Sequence, residues 1–159
     1  MPKSAHSVLI VDADKESRKS LATRFEKLDW IVCTAEDGRQ ATKIMHRENP
    51  DIILMDMLLP IRDGISTCRI IRNDVSVANH FPIIMMTSTP DRKQIVGAID
   101  AGCDDFIVKP FKFEVLLEKV KELVKFHEKK EKEEESPEAE EEEAEIIVYS
   151  KKMVEKAFS

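Results

Sequence analysis

Asp51-Ile-Ile-Leu-Met-Asp-Met-Leu-Leu-Pro60 carries four consecutive large apolar residues, Ile52 to Met55, that stop on a carboxylate at Asp56. An unbroken apolar run of this length is what a β-strand covered on both faces looks like; a half-solvated strand would alternate. The same arrangement recurs on either side. Val8-Leu-Ile-Val11 stops on Asp12, Ile83-Ile-Met-Met86 stops on Thr87, and Phe106-Ile-Val108 stops on Lys109, with Pro110 next. A fifth, more mixed run lies at 30–34. Between the runs sit segments with helical spacing: Leu21, Ala22, Phe25 and Leu28; Ala41, Ile44 and Met45; Ile65, Cys68 and Ile71; Ile95, Ala98 and Ile99; and Leu116, Val120, Leu123 and Val124. Five strand–helix units in alternation predict an α/β fold, a parallel sheet with right-handed crossovers and helices on both faces. Open sheets of this kind bind ligands at the C-terminal ends of their strands. Asp12, Asp56, Thr87 and Lys109 are therefore expected to converge. Two carboxylates, a hydroxyl and an ammonium suit a divalent cation and a phosphoryl group.

The punctuation supports the same reading. Asp14 and Asp91 stand where the first and fourth helices need N-caps. Asn49-Pro50, Asp63-Gly64 and Phe81-Pro82 mark connections. A chain of 159 residues makes one domain with an appendage and buries roughly 70% of its unfolded surface, so it needs no covalent staples. Cys33, Cys68 and Cys103 are an odd, widely spaced set, which fits reduced thiols in a cytoplasmic protein rather than a disulfide framework. His6, His46, His80 and His127 are scattered and show no zinc spacing. No apolar run approaches a membrane span, and the first residues lack the apolar core of a signal peptide, so no membrane insertion is expected.

Charge divides the chain. Through Phe126, Lys and Arg number 19 against 19 Asp and Glu; from His127 onward they number 6 against 12. The neutral part, residues 7–126, reads as the folded domain. Residues 127–159 read as an acidic tail, disordered or partly helical, with the last helix running on as a charged stalk until Pro137 stops it. Ile146 to Tyr149 and the residues after them form a small apolar patch too short to fold alone. A neutral body with an acidic tail gives no electrostatic reason to bind nucleic acid.

Four motifs, in order, carry a resemblance to a family: Val-Leu-Ile-Val-Asp-Ala-Asp14, Asp51-Ile-Ile-Leu-Met-Asp-Met-Leu-Leu-Pro-Ile-Arg-Asp-Gly64, Pro82-Ile-Ile-Met-Met-Thr-Ser88 and Asp104-Asp-Phe-Ile-Val-Lys-Pro-Phe111. They resemble receiver domains of two-component response regulators over residues 7–126. The resemblance implies a flavodoxin-like sheet of five parallel strands in order 2-1-3-4-5, flanked by five helices; receiver-type proteins are a standard example of that order. It implies Asp56 as phosphoacceptor and a magnesium ion held by Asp12, Asp56 and the main-chain carbonyl of Leu58. It implies Lys109 as the phosphoryl partner, with a cis bond to Pro110, and Thr87 and Phe106 as the switch pair. The second acid of the family's acidic pair is absent here, since Ala13 occupies its position; Asp14 either substitutes as a ligand or only caps the first helix. The implied function is a phosphorylation-dependent switch. A histidine kinase or phosphotransfer protein donates the phosphoryl group, and any activity of the chain itself is confined to self-phosphorylation and self-dephosphorylation. Output is expected through protein contacts, with a possible homodimer, at helix 4, strand 5 and helix 5, where Arg92, Lys93, Asp100, Asp104, Asp105 and Lys119 supply charges of both signs.

Two other readings stand beside this one. Ala13 is compatible with a pseudo-receiver, a scaffold that binds partners without phosphorylation. Asp12-Ala-Asp14 also looks like the opening of a haloacid-dehalogenase-type phosphatase, with Met86-Thr87 as its second motif and Gly102-Cys-Asp-Asp105 as its last. That reading leaves Asp56-Met-Leu-Leu-Pro60 and Lys109-Pro110 unexplained.

Overall fold

The computed structural model describes residues 5–77, 80–133 and 151–157. Five strands alternate with five helices: β1 (Ser7–Val11), α1 (Lys15–Glu26), β2 (Ile31–Ala35), α2 (Gly38–Glu48), β3 (Ile52–Asp56), α3 (Gly64–Asn73), β4 (Ile83–Thr87), α4 (Arg92–Asp100), β5 (Asp105–Val108) and α5 (Phe113–Glu133). Residues 151–157 are helical as well. The strands form one parallel sheet in the order β2-β1-β3-β4-β5, which is the order the resemblance implied.

The strands are apolar because they are covered twice. Every residue of β3 and β4 is buried. Alternate side chains feed two cores. Leu9, Val11, Ile53, Met55, Ile83 and Met85 pack with α2, α3 and α4 on one face. Val8, Ile10, Ile52, Leu54, Ile84 and Met86 pack with α1 and α5 on the other. The edge strand β2 is mostly half-exposed, with Ile31 62% exposed. Its mixed composition follows from that position. Leu28 falls beyond the end of α1 and is 46% exposed, so it does not belong to the helix face that the spacing assigns to it.

Four helices begin on an aspartate. Asp14, Asp37, Asp63 and Asp91 each have extended backbone and accept a hydrogen bond from the N–H three residues on, at Ser17, Gln40, Ser66 and Gln94. Each cap satisfies an otherwise orphaned helix N–H. Asn49 ends α2 in the left-handed conformation (φ 47°), just before Pro50. Gly64 opens α3 where a Cβ would run into the carbonyl oxygen of Asp56, so only glycine lets α3 start this close to the end of β3.

Helix α5 does not stop at the charge boundary. It continues through Glu133, and His127 and Glu128 reach Asp104 and His6. The expectations for residues 134–150, an unpacked acidic segment and its apolar patch, lie outside the described residues.

Candidate functional site

Asp12, Asp56, Thr87 and Lys109 meet at the C-terminal edge of the sheet. Asp56 ends β3 and Thr87 ends β4. Asp12 and Lys109 are the first residues after β1 and β5. The Lys109 ammonium bridges both carboxylates, 2.7 Å from Asp56 Oδ1 and 3.0 Å from Asp12 Oδ2. The Lys109 N–H also donates to the Thr87 carbonyl at 2.7 Å, which fixes the start of the lysine's loop. The Lys109–Pro110 bond is cis, as the resemblance implied.

The electrostatics are those of a crowded acidic site. Burial, reinforced by the neighbouring Asp12, pushes the Asp56 carboxyl up to about 7 despite Lys109. Burial works against the lysine's charge too, but its hydrogen bonds to Asp56 and Asp12 outweigh it and hold the ammonium above its usual pKa. One ammonium therefore neutralises two carboxylates only in part. The donors here are all hard oxygens. Surplus negative charge on hard oxygens is a setting that fits magnesium. Of the atoms the resemblance names for holding it, the carboxylates of Asp12 and Asp56 are brought together by Lys109; the third is the main-chain carbonyl of Leu58, two residues beyond the end of β3.

The β1–α1 turn is built around Asp12. Its carboxylate accepts the Asp14 N–H at 2.9 Å, and its carbonyl accepts Arg18 Nη1 at 2.6 Å. Asp14 itself turns away. Its Oδ2 accepts both the N–H of Ser17 (3.0 Å) and the Ser17 hydroxyl (2.7 Å), and these bonds hold its carboxyl below the usual range. Of its two expected roles, Asp14 occupies the cap. Ala13 is exposed and brings no oxygen from its side chain. An open cleft lined by Asp12, Asp14, Ser17, Ser88, Lys109 and Phe111, among others, gives access to the site from the α1 side.

Thr87 and Phe106, which the resemblance pairs as a switch, differ in position: Thr87 ends β4 at the site, and Phe106 lies on β5. Thr87 is buried, and its hydroxyl accepts the Thr89 N–H at 3.1 Å. Phe106 is half-buried against the core of the α2–α3–α4 face.

Asp104 and Asp105 lie elsewhere. They stand at the start of β5, at the opposite edge of the sheet, with the Asp104 N–H donating to the Ile83 carbonyl. Asp104 pairs with Arg72 (2.9 Å) and Asp105 with Lys119 (3.0 Å). Both carboxylates are largely buried. They join neither the Asp12 cluster, as a dehalogenase-type site would need, nor the charged surface expected of helix 4, strand 5 and helix 5. On that surface Arg92, Lys93 and Asp100 remain exposed.

Two features escaped the sequence reading. Arg62, in the loop after β3, donates to the Gly38 carbonyl (2.7 Å) and to the hydroxyls of Thr42 (2.8 Å) and Thr67 (3.2 Å), clamping that loop to α2 and α3. Ile61 in the same loop has φ 66° and is 77% exposed. A left-handed β-branched residue carries no local sequence signal.

The family model "Response regulator receiver domain" matches residues 8–121. A probable transcriptional regulator, ycf27, of Guillardia theta is 35% identical over 123 residues, 77% of this chain and 47% of its own. Response regulator MprA of Mycolicibacterium vanbaalenii is 33% identical over 118 residues, 74% of this chain and 50% of its own. The chain thus spans about half the length of these curated relatives. Among solved structures, a two-component response regulator from Clostridium difficile superposes with a TM-score of 0.70 at 28% identity, covering 76% of this chain and 96% of the other. The chemotaxis response regulator CheY4 of Vibrio cholerae does so with a TM-score of 0.69 at 25% identity, covering 76% of this chain and 99% of its own.

Proposed function

The chain belongs to the response regulator receiver family, and on that premise we propose that Asp56 accepts a phosphoryl group and that Thr87 and Phe106 pass its presence to the surface of α4, β5 and α5. The observation that carries this reading is the Lys109 ammonium, set between the carboxylates of Asp12 and Asp56 at the sheet's C-terminal edge.

An oxygen of ionised Asp56 attacks the phosphorus of a phosphohistidine on a kinase or phosphotransfer protein. The new P–O bond forms as the P–N bond breaks, and the imidazole leaves with the electron pair. Lys109 offsets charge on the phosphoryl oxygens, and the Thr87 hydroxyl donates to one of them once it leaves the Thr89 N–H. Magnesium held by Asp12, Asp56 and the Leu58 carbonyl would supply further positive charge to the carboxylates and phosphoryl oxygens. Water attacking phosphorus later regenerates the carboxylate and releases phosphate. Self-phosphorylation from small donors and self-dephosphorylation are the only reactions this reading assigns to the chain.

Among the described residues no helix is long and apolar enough to cross a membrane. A cytoplasmic setting is part of the proposal, supported by the buried free thiols of Cys68 and Cys103.

Acetyl phosphate with magnesium, followed by borohydride trapping and mass spectrometry, tests the assignment. Label is expected on Asp56 and absent in Asp56→Asn. Label on Asp12 would refute the acceptor and favour a phosphatase-like use of the first acid.

A further inference from the structure

Three residues remote in sequence meet at the edge of the sheet opposite Asp56. His80 lies in the segment before β4, Asp104 immediately precedes β5, and His127 is on α5. One oxygen, Asp104 Oδ1, faces both rings, 3.3 Å from His80 Nε2 and 3.9 Å from His127 Nε2. The rings are stacked, with centroids 5.0 Å apart and planes 6° from parallel. An ordinary histidine–aspartate pair needs only one ring. Here the second ring presents its nitrogen to the same oxygen from beyond hydrogen-bond reach.

We propose that His80, Asp104 and His127 bind one zinc-like dication through two imidazole nitrogens and one carboxylate oxygen, with solvent water completing the coordination. The three ligand atoms all lie within 4.8 Å of one another. Tetrahedral zinc, with bonds near 2.1 Å, needs its ligands about 3.4 Å apart. The His80–Asp104 separation already matches. His127 must close by roughly half an ångström on the carboxylate and by up to about 1.4 Å on the His80 nitrogen, and the stacked rings must turn so that both nitrogens point at one ion, which side-chain rotation of exposed His80 allows. His80 is exposed, which leaves the water position open to solvent.

The surroundings suit such a site. The other carboxylate oxygen, Oδ2, is held by Arg72 Nη2 at 2.9 Å and by the Ile83 N–H at 2.8 Å, and Arg72 is itself anchored on the Gly102 carbonyl at 2.8 Å. Hydrogen bonds of this kind orient a ligating carboxylate. The charged groups facing the site are Arg72, Asp104 and Lys130. The two cations oppose a dication, so micromolar affinity is expected, weaker than that of four-ligand structural zinc sites. Two nitrogen donors select zinc, cobalt or nickel over magnesium and calcium. Bound metal would pin α5 to the start of β5 and to the segment before β4.

The test uses the untagged full chain in excess magnesium, added to compete at the Asp12 and Asp56 carboxylates. Cobalt(II) is titrated and read by visible absorption, then displaced with zinc. One equivalent with the intense bands of a four- or five-coordinate ion is expected. His80→Ala and His127→Ala should each weaken binding at least about tenfold, while His46→Ala should leave it unchanged. Zinc should raise the melting temperature of the natural chain and not that of His80→Ala. Circular dichroism and a cooperative thermal melt confirm that the variants are folded; because His80 is exposed, its variant keeps the test decisive if His127→Ala unfolds. Only weak octahedral absorption, affinity unaltered in His80→Ala, or binding lost in Cys68→Ala while both histidine variants retain it would each overturn the proposal.

Discussion

At the residue scale, the proposed reaction needs Asp56 ionised to attack phosphorus, yet the carboxyl sits where ionisation is resisted. Its folded pKa of about 7 lies well above the ordinary carboxylate value of 3.8. Between those values the folded chain holds a proton that the unfolded chain does not, so this group adds stability as pH falls from above 7 towards 4. Without metal at pH 8, Asp56→Asn is therefore expected to be more stable than the natural chain, on the order of 2 kcal/mol. The advantage should fall by about half at pH 5 and vanish only below about pH 4, where the unfolded carboxyl also takes up its proton. Urea melts in chelator at the two pH values measure it, and an equal advantage at both would show that the carboxyl is not strained. Ile61 offers a second gain. Its φ of 66° and the Arg62 N–H on the Pro60 carbonyl at 2.6 Å make a tight turn that a β-branched residue enters at a cost. Ile61→Gly should stabilise by about 0.5–1 kcal/mol, the left-handed penalty less the glycine entropy, whereas Ile61→Ala loses only the β-branch, keeps most of the penalty and should gain less. At the neighbouring acid pair, Ala13→Asp should tighten magnesium by about tenfold through an added oxygen. Asp14→Ala should lower the melting temperature by a few degrees through loss of the cap, with magnesium affinity little changed. A large loss of magnesium affinity in Asp14→Ala would show the carboxylate swinging from Ser17 into the site.

At the element scale, α5 outruns the boundary that charge alone suggests. His127 packs beneath Asp104, with 12% of its side chain exposed, so a chain ending at Phe126 should melt below one ending at Glu133. Equal melting temperatures would mean that the last turns of α5 contribute nothing. That the helix runs on past Phe126 is expected from the sequence; that its last turns pack on the body is not, and the difference shows what a sequence reveals and what it hides. Strands β1, β3 and β4 are legible because both their faces are covered and their apolar runs are unbroken. Asp12, Asp56, Thr87 and Lys109 are legible because each directly ends such a run, and a parallel sheet gathers those ends. Burial of Asp104 and Asp105 is not legible, since an acid in a loop looks solvated until Arg72 and Lys119 are seen beside it. Nor is the meeting of His80, Asp104 and His127, whose residues come from three separate segments at no motif spacing. Arg62 likewise bonds to Gly38, 24 residues away, through a turn that only the tertiary structure defines.

At the scale of the whole molecule, the sheet separates two cores and two edges, so a chemical event at Asp56 needs a mechanical route to a surface. The shortest route runs along β4. In the unphosphorylated state the Thr87 hydroxyl accepts the Thr89 N–H, which ties it to the loop leading into α4. A phosphoryl group on Asp56 offers that hydroxyl a charged acceptor, and hydrogen bonds to charged groups are the stronger kind. If Thr87 turns towards it, the Thr89 N–H loses its partner and the β4–α4 loop must rearrange. Phe106, half-buried against the α4 side of the core, is placed to fill the space left behind. Such a device is a two-state element biased by charge at one point. Phosphorylation with acetyl phosphate and magnesium should therefore shift backbone NMR signals in the β4–α4 loop, α4 and β5 more than those of α2. In Thr87→Ala, Asp56 should still take label, but the shifts at α4 and β5 should largely vanish. Shifts confined to α2, or full shifts in Thr87→Ala, would mean that the signal leaves the site by another path, the Arg62 clamp onto α2 being the nearest one built into the fold.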